Sequence, residues 1–298
     1  MRVLITGAGG MVGREVVEHC RASGDLVFLY DHQSLDISDS DRVHETLRRD
    51  QPEIVINCAA WTDVDGCELN RERAFAANAE GPENLAFASR DINARLITIS
   101  TDYVFDGKKD GFYTQRDQPG PESIYGLAKL EGERRAQLAY ARSVVVRTGF
   151  VFGPGGINFL STIIERAKRG EKLKAIRDAY GTPTYAPDLA ARLRELAQLD
   201  LPGTFHVVND GAGVSYEEFA RAALDLSGHS STSLESVAMD SLNRPAPRPG
   251  NSRLKCLLSE AVGLRPLPFW KDSLKTFAVS DSATGAAAKG QTARPELA

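Results

Sequence analysis

Three glycines between the first apolar run and the first amphipathic stretch constrain this chain more than any other feature. Val3-Leu4-Ile5 is followed at once by GAGGMVG, from Gly7 to Gly13, and then by a helical pattern from Met11 to Ser23. In a strand–turn–helix setting the first glycine permits the tight turn and Gly10 lets backbone approach a pyrophosphate. Gly13 lets helix and strand pack closely. The helix start adds unsatisfied N–H groups that favour an anion. Three glycines by themselves are equally at home in a plain structural turn. Their weight here comes from context, because a second apolar run from Leu26 to Tyr30 follows and ends in Asp31.

The alternation continues along the chain. Ile54 to Ile56 reads as a strand, Arg71 to Ser89 as a helix and Arg95 to Ile99 as a strand. Tyr125 to Tyr140 reads as a long helix and Ser143 to Arg147 as a strand. Short β-rich runs separated by helices predict an α/β fold, a Rossmann-type doubly wound parallel sheet. After Arg147 the pattern loosens. A glycine-rich stretch, Gly149 to Gly156, precedes a short helix from Asn158 to Arg169. Gly203 to Val208 reads as one more strand of the main sheet, and Ser215 to Ser227 as a helix. The polar, proline-rich stretch from Ser230 to Gly250 reads as long loops, and Leu267 to Ala278 as the last helix. The expected organisation is a dinucleotide-binding domain over 1–148, with a returning segment near 178–210. A smaller C-terminal α/β substrate-binding domain is expected over 149–177 and 211–279, and a disordered tail over 280–298.

Composition narrows the function. The chain has 298 residues, 42% hydrophobic and 26% charged, with a net charge of -4, which is ordinary for a globular protein and unlike a disordered chain. No basic run points to nucleic acid, and no apolar run approaches a membrane span. Only six residues precede Gly7, so no secretory signal is expected and a cytoplasmic location is. Cys20, Cys58, Cys67 and Cys256 lack CxxC spacing and read as reduced, buried thiols. No metal site is expected.

Chemistry enters at three places. Asp31, at the end of the second strand, can accept hydrogen bonds from an adenosine ribose diol and would repel a 2′-phosphate; a helix cap or a solvated loop acid is the alternative. No arginine stands beside it in sequence, which favours NADH over NADPH. Asp36 and Ile37 follow where an adenine would lie. Tyr125 and Lys129, four residues apart, share one helix face, so the ammonium can stabilise a phenolate that is otherwise a poor acid at neutral pH. Thr101, directly after the fourth strand, sits where residues face the ligand crevice. Its hydroxyl can hold a substrate oxygen while Tyr125 moves the proton.

Taken with the segments NCAAWTDVD (57–65), NAEGPENLA (78–86), STDYVFDG (100–107), YGLAKLEGE (125–133), RTGFVFG (147–153), DAYGTPTY (178–185) and NSRL (251–254), these residues resemble the extended short-chain dehydrogenase/reductases. Within them the resemblance is to the dTDP-4-dehydrorhamnose reductases. It runs from the N-terminus to about Phe277 and implies reduction of a dTDP-linked deoxyhexulose, with NADPH or NADH as cofactor. Thr101, Tyr125 and Lys129 would be catalytic. Gly7, Gly10, Met11, Val12, Asp31, Asp36, Ile37, Ala60, Trp61 and Thr62 would line the dinucleotide, together with Tyr125 and Lys129. Thr101, Asp102 and Phe150 would touch the hexulose. Asn158 and Arg253 would meet the nucleotide diphosphate, with an N-cap as the alternative for Asn158 and a surface salt bridge for Arg253.

The chain departs from the family pattern at Met11, Phe150 and Ala179, where glutamine, tryptophan and glutamine are usual. Phe150 keeps an aromatic wall and loses an indole donor. An epimerase of the same superfamily and a non-catalytic regulatory subunit, like that of methionine adenosyltransferase, are the rival readings. Assembly as a homodimer is left open.

Overall fold

The computed structural model describes residues 1–284. The first half runs β1 (Arg2–Thr6), α1 (Met11–Ala22), β2 (Leu26–Tyr30), α2 (Ser40–Asp50), β3 (Ile54–Asn57), α3 (Val64–Leu69), α4 (Arg71–Phe75), a π-helical turn (Ala76–Glu80), α5 (Gly81–Asp91), β4 (Arg95–Thr101), α6 (Ile124–Ala139) and β5 (Val144–Thr148). The second half runs β6 (Val151–Phe152), α7 (Phe159–Lys168), β7 (Leu173–Ile176), β8 (Tyr180–Gly181), β9 (Thr184–Tyr185), α8 (Ala186–Leu199), β10 (Gly203–His206), β11 (Val214–Ser215), α9 (Tyr216–Leu226), β12 (Leu234–Val237), α10 (Leu257–Ala261) and α11 (Trp270–Thr284).

Six strands form one parallel sheet in the order β10-β5-β4-β3-β1-β2. Alternate residues of each strand go to opposite faces, as a pleat requires. Val3, Ile5, Ile54, Ile56 and Ile97 pack with Val16 of α1 and with Leu189 and Leu193 of α8. Leu4, Val55 and Leu96 pack on the other face with Leu47 of α2, Leu85 of α5 and Ala136 of α6. The sheet is therefore buried on both sides, which is why its strands read as unbroken apolar runs. β2 lies on one side of β1 and β3 on the other. That reversal of strand order opens a crevice beyond the carboxyl ends of the strands, where ligands bind in open α/β sheets.

A second cluster, built from Phe152, Leu160, Tyr185, Phe219, Trp270, Leu274 and Phe277, joins α7, α9 and α11 with the short strands β6 and β9. α8 and β10 return to the main sheet, where β10 pairs with β5.

The helix read over 71–89 is present and runs from Arg71 to Asp91, with a π-helical turn inside it that lets the buried Asn78 turn its amide to the chain at Trp61. Two expectations need correction. The segment read as loops over 230–250 holds β12, which pairs with β7 through backbone bonds that no side-chain periodicity announces. The last helix carries on to Thr284, beside Gly285, so it extends five residues into the segment expected to be a disordered tail; residues 285–298 lie outside those described. Cys20 and Cys67 are buried, while Cys58 and Cys256 are half-buried; all four are free thiols. Among the described residues no helix is long and apolar enough to cross a membrane.

Candidate active site

The glycine turn closes over the end of β1. Gly7 has φ +65°, and a Cβ there would stand 2.6 Å from the backbone of Cys58 and Ala59. A Cβ on Gly13 would stand 2.1 Å from the Gly7 carbonyl oxygen, so helix and turn touch backbone to backbone. Gly10 is the N-cap of α1 and brings no side-chain cap, leaving the first amides of the helix, at Met11 and Val12, without one. This bare helix start fits a pyrophosphate. Asn57, fully buried, clasps the neighbouring strand ends: it accepts from Thr6 Oγ1 at 2.7 Å and donates to Thr98 Oγ1 at 3.0 Å.

Asp31 is exposed at the end of β2, beside Gly9, and its carboxylate accepts from the amide and hydroxyl of Ser34 at 2.9 and 2.7 Å. Those bonds hold its carboxyl below the usual carboxylate range. The bonding is that of a turn cap, the alternative reading of this acid. Arg42, on the first turn of α2, donates from Nη2 to the Ser34 carbonyl at 3.0 Å. Arg42 thus joins α2 to the turn that carries Asp31, an approach the linear sequence does not show. Asp36 accepts from Ser38, and Ile37 is buried in the core, its carbonyl accepting from Asn84 at 3.0 Å.

On the third side of the crevice, the loop Ala60–Thr62 is half-buried to exposed and is held by Asn78, which accepts from the Trp61 amide at 3.0 Å and donates to its carbonyl at 2.9 Å. Sequence reading placed Asn78 in a matching segment and gave it no role. A buried amide beside a helix irregularity is the signal that marks it.

α6 carries Tyr125, Lys129 and Glu133 at spacings of four, all buried and all against the end of β4. The Tyr125 phenol lies beside the Thr101 hydroxyl, which favours its ionised form. Lys129 donates from Nζ to the Ile99 carbonyl at 2.7 Å. Glu133 accepts from Ser100 Oγ at 2.5 Å and takes a two-pronged bond from Arg147 on β5, at 2.9 and 2.6 Å. Burial pushes the Lys129 ammonium down to about 8, with Glu133 and Cys58 opposing. Burial also raises the Tyr125 phenol well above its ordinary value; the Thr101 hydroxyl opposes that, and Asp102 adds to it. The bond to the Ile99 carbonyl uses one of the three N–H donors of the ammonium. Ser100, Glu133 and Arg147 were passed over in the sequence, where only their final pairing would have marked them.

Asp102 is 3% exposed. Its Oδ1 accepts from Thr101 Oγ1 at 3.1 Å, while Oδ2 is closed to solvent and without a hydrogen-bond partner among the described residues.

Phe150 is half-buried, with φ +46°, and stacks on Tyr216 at 4.2 Å between ring centroids. A left-handed backbone costs a non-glycine residue about 1–2 kcal/mol, and such strain tends to sit at functional places. Tyr103, edge-on to Tyr125 at 5.9 Å and hydrogen-bonded to Tyr216, extends this aromatic wall to the α6 face. The two residues expected at the diphosphate have hydrogen-bond partners within the chain. Asn158 caps α7, accepting from the Ser161 amide at 3.0 Å, and its amide donates to the Gly153 carbonyl at 3.0 Å. Arg253 donates to Asn251 Oδ1 at 2.8 Å and lies over the rings of Tyr180 and Phe112 at 5.5 and 5.8 Å.

This arrangement matches a known family along its length: the model of the RmlD substrate binding domain covers residues 1–282. The chain belongs to that family. It is 38% identical to a dTDP-4-dehydrorhamnose reductase of Mycolicibacterium smegmatis over 277 residues, covering 92% of this chain and 84% of that one. Among solved structures it is similar to a dTDP-4-dehydrorhamnose reductase of Clostridium acetobutylicum (TM-score 0.91, 36% identity, 95% of this chain and 100% of that one). It is also similar to the Bacillus anthracis reductase in complex with NADP (TM-score 0.89, 33% identity, 94% and 99%).

Proposed function

We propose that this family member is an NAD(P)H-dependent dTDP-4-dehydrorhamnose reductase, which reduces the 4-keto group of a dTDP-linked 6-deoxyhexulose in dTDP-L-rhamnose biosynthesis. The observation that carries the reading is the meeting of Thr101, Tyr125 and Lys129 at the carboxyl end of β4, in the same crevice as the uncapped glycine turn. Its relatives' names supply the substrate class.

The bare N-terminus of α1 and the backbone contact of Gly7 with Gly13 fit a dinucleotide pyrophosphate. Gly10, Met11 and Val12 would hold it, with Asp31 on the adenosine ribose, Asp36 and Ile37 near the adenine, and Ala60 to Thr62 along the chain to the nicotinamide. The bound cofactor supplies the hydride. Tyr125 gives its proton to the developing alkoxide, Thr101 orients the carbonyl, and Lys129 binds the nicotinamide ribose. The wall of Phe150, Tyr216 and Tyr103 faces the sugar. In this reading 1–148 with 178–210 forms the dinucleotide half, and 149–177 with 211–279 the substrate half. The reaction belongs in the cytoplasm, where its reduced cofactor is regenerated, and sedimentation decides between monomer and homodimer.

The test is to mix the purified chain with dTDP-4-keto-6-deoxy-L-lyxo-hexulose and NADH or NADPH and follow nicotinamide absorbance. Steady consumption without any added partner protein is the expected result. An epimerase would interconvert sugars with no net consumption, and a regulatory subunit would do neither.

A further inference from the structure

We propose that Ser100, Glu133 and Arg147 form a clamp that sets the geometry of the reduction. The Glu133–Arg147 pair fixes α6 against the end of β4, and with it the places of Tyr125 and Lys129 relative to Thr101. This rests on the reductase reading above. The three are positioning residues, acting through the catalytic side chains.

The clamp joins three elements. Ser100 of β4 and Arg147 of β5 are register partners in the parallel sheet, so their side chains leave the same face. That face carries α6: Leu96, four residues back along β4, packs in one cluster with Ala136. Glu133 meets both from α6. Its Oε1 accepts from Ser100 Oγ at 2.5 Å and from Arg147 Nε at 2.9 Å, and its Oε2 accepts from Arg147 Nη2 at 2.6 Å. All three side chains are buried.

Both halves of the catalytic set are tied to this clamp. Along α6, Glu133 stands about one turn beyond Lys129 and about two beyond Tyr125. A helix held there can slide along the sheet only by breaking those bonds. Along the other half, Ser100 is fixed directly before Thr101, and the Arg147 guanidinium lies over the ring of Phe105 at 5.1 Å. The segment from Thr101 to Val104 is therefore held at both ends, by a bond to Glu133 and by a ring under Arg147.

Stability alone is a poor reason for such a pair. Taking two charges out of water is costly, and apolar side chains of similar size commonly serve a fold as well. What they lack is direction. A guanidinium fork and a carboxylate meet in a fixed plane at fixed lengths, whereas apolar contacts permit sliding. Hydride and proton transfer need that direction, since a displacement of about 1 Å can cost about 10²-fold in rate.

Glu133 also bears on Lys129 by its charge, which is the rival account. The groups facing the ammonium are Glu133 on its own helix and the Cys58 thiol directly after β3, with Arg147 of β5 bonded to Glu133. Burial brings the ammonium down to about 8, and Glu133 opposes that. Losing the carboxylate would move the loss of the Lys129 proton to lower pH, an effect that vanishes in acid where the ammonium keeps its proton. A displaced helix costs rate at every pH.

The test compares full-length wild type with the double variant Glu133→Leu, Arg147→Met, which removes both charges and leaves neither unpaired. NADH and the dTDP-linked keto sugar are the substrates. The melting temperature should stay close to that of wild type, while the single-turnover rate falls by about 10²-fold. The fall should persist at pH 6, and NADH should still bind. Ser100→Ala keeps the ion pair and removes only its tie to β4; it should lose about tenfold in rate and carries the test if the double variant does not fold. A folded double variant with the wild-type rate, or one that recovers that rate at pH 6, overturns the clamp and leaves the reductase reading standing. A Ser100→Ala chain as fast as wild type, where the double variant does not fold, does the same. A wild type that binds NADH and consumes none with the keto sugar overturns the reductase reading, and the clamp with it.

Discussion

The ammonium of Lys129 donates to the carbonyl of Ile99 at 2.7 Å, one strand residue short of Ser100, whose hydroxyl bonds Glu133 one helical turn farther on. Helix α6 and strand β4 are thus laced by consecutive backbone and side-chain groups, and Tyr125 reaches Thr101 at the open end of that lacing. Lys129 is the charged residue of the row without a carboxylate bond of its own, since Glu133 is occupied by Arg147.

Replacing Tyr125 by Phe removes one oxygen from a ring that still packs. The fold and dinucleotide affinity should survive, and turnover should fall by about 10²–10⁴-fold. Lys129→Met should lose turnover and also weaken NADH binding, because in this reading the ammonium also binds the nicotinamide ribose. Fluorescence titration of NADH beside kinetics on the same preparations separates the two. A Tyr125→Phe chain that reduces substrate at the wild-type rate would falsify the assignment of the proton donor.

Phe150→Ala should raise the substrate Michaelis constant and leave NADH affinity nearly unchanged. The ring is half-buried and stacked on Tyr216, so some stability goes with it, short of the roughly 3–5 kcal/mol lost when a fully buried phenylalanine is truncated. Denaturant unfolding measured alongside the kinetics distinguishes a sugar platform from a core residue, for which stability alone would drop.

Arg42 should decide how well a 2′-phosphate is tolerated beside Asp31. A hydrogen bond to a charged group contributes about 1.5–3 kcal/mol, so Arg42→Ala should weaken NADPH binding by about tenfold or more. NADH binding should be untouched. Equal losses for the two dinucleotides would place Arg42 in the support of the loop alone.

His206 should make the fold sensitive to acid. It is 2% exposed, its Nδ1 lies 3.0 Å from the Lys255 carbonyl, and burial, with Arg147 nearby, lowers its pKa from 6.5 to about 4. Between those values the unfolded chain binds more protons than the folded one, so the histidine's share of stability falls as pH drops from 6.5 toward 4. Asp102, raised from 3.8 to about 6, pulls the other way over much of that window. The measurement is therefore a difference: on going from pH 7 to 5, His206→Gln should gain about 2 kcal/mol relative to wild type. A constant gap between the two melting curves across this range would refute the assignment.

What the sequence determined by itself is what near neighbours determine. Strand alternation from Val3 to Ile5, the glycine turn, the helix after it and the shared face of Tyr125 and Lys129 all follow from periodicities of two and 3.6 residues. The parallel sheet and the crevice at its carboxyl edge follow from stringing those units together. The partners of the site residues were decided only by tertiary structure. Asn158 went to its own helix, Lys129 to a strand carbonyl, Arg42 to the turn of Asp31, and Asp102 to the Thr101 hydroxyl. β12 formed because β7 offered it an edge. Each of these turns on which backbone groups and charges burial leaves in need of a partner. That depends on segments far apart in the chain meeting across the sheet, and no local pattern of residues encodes it.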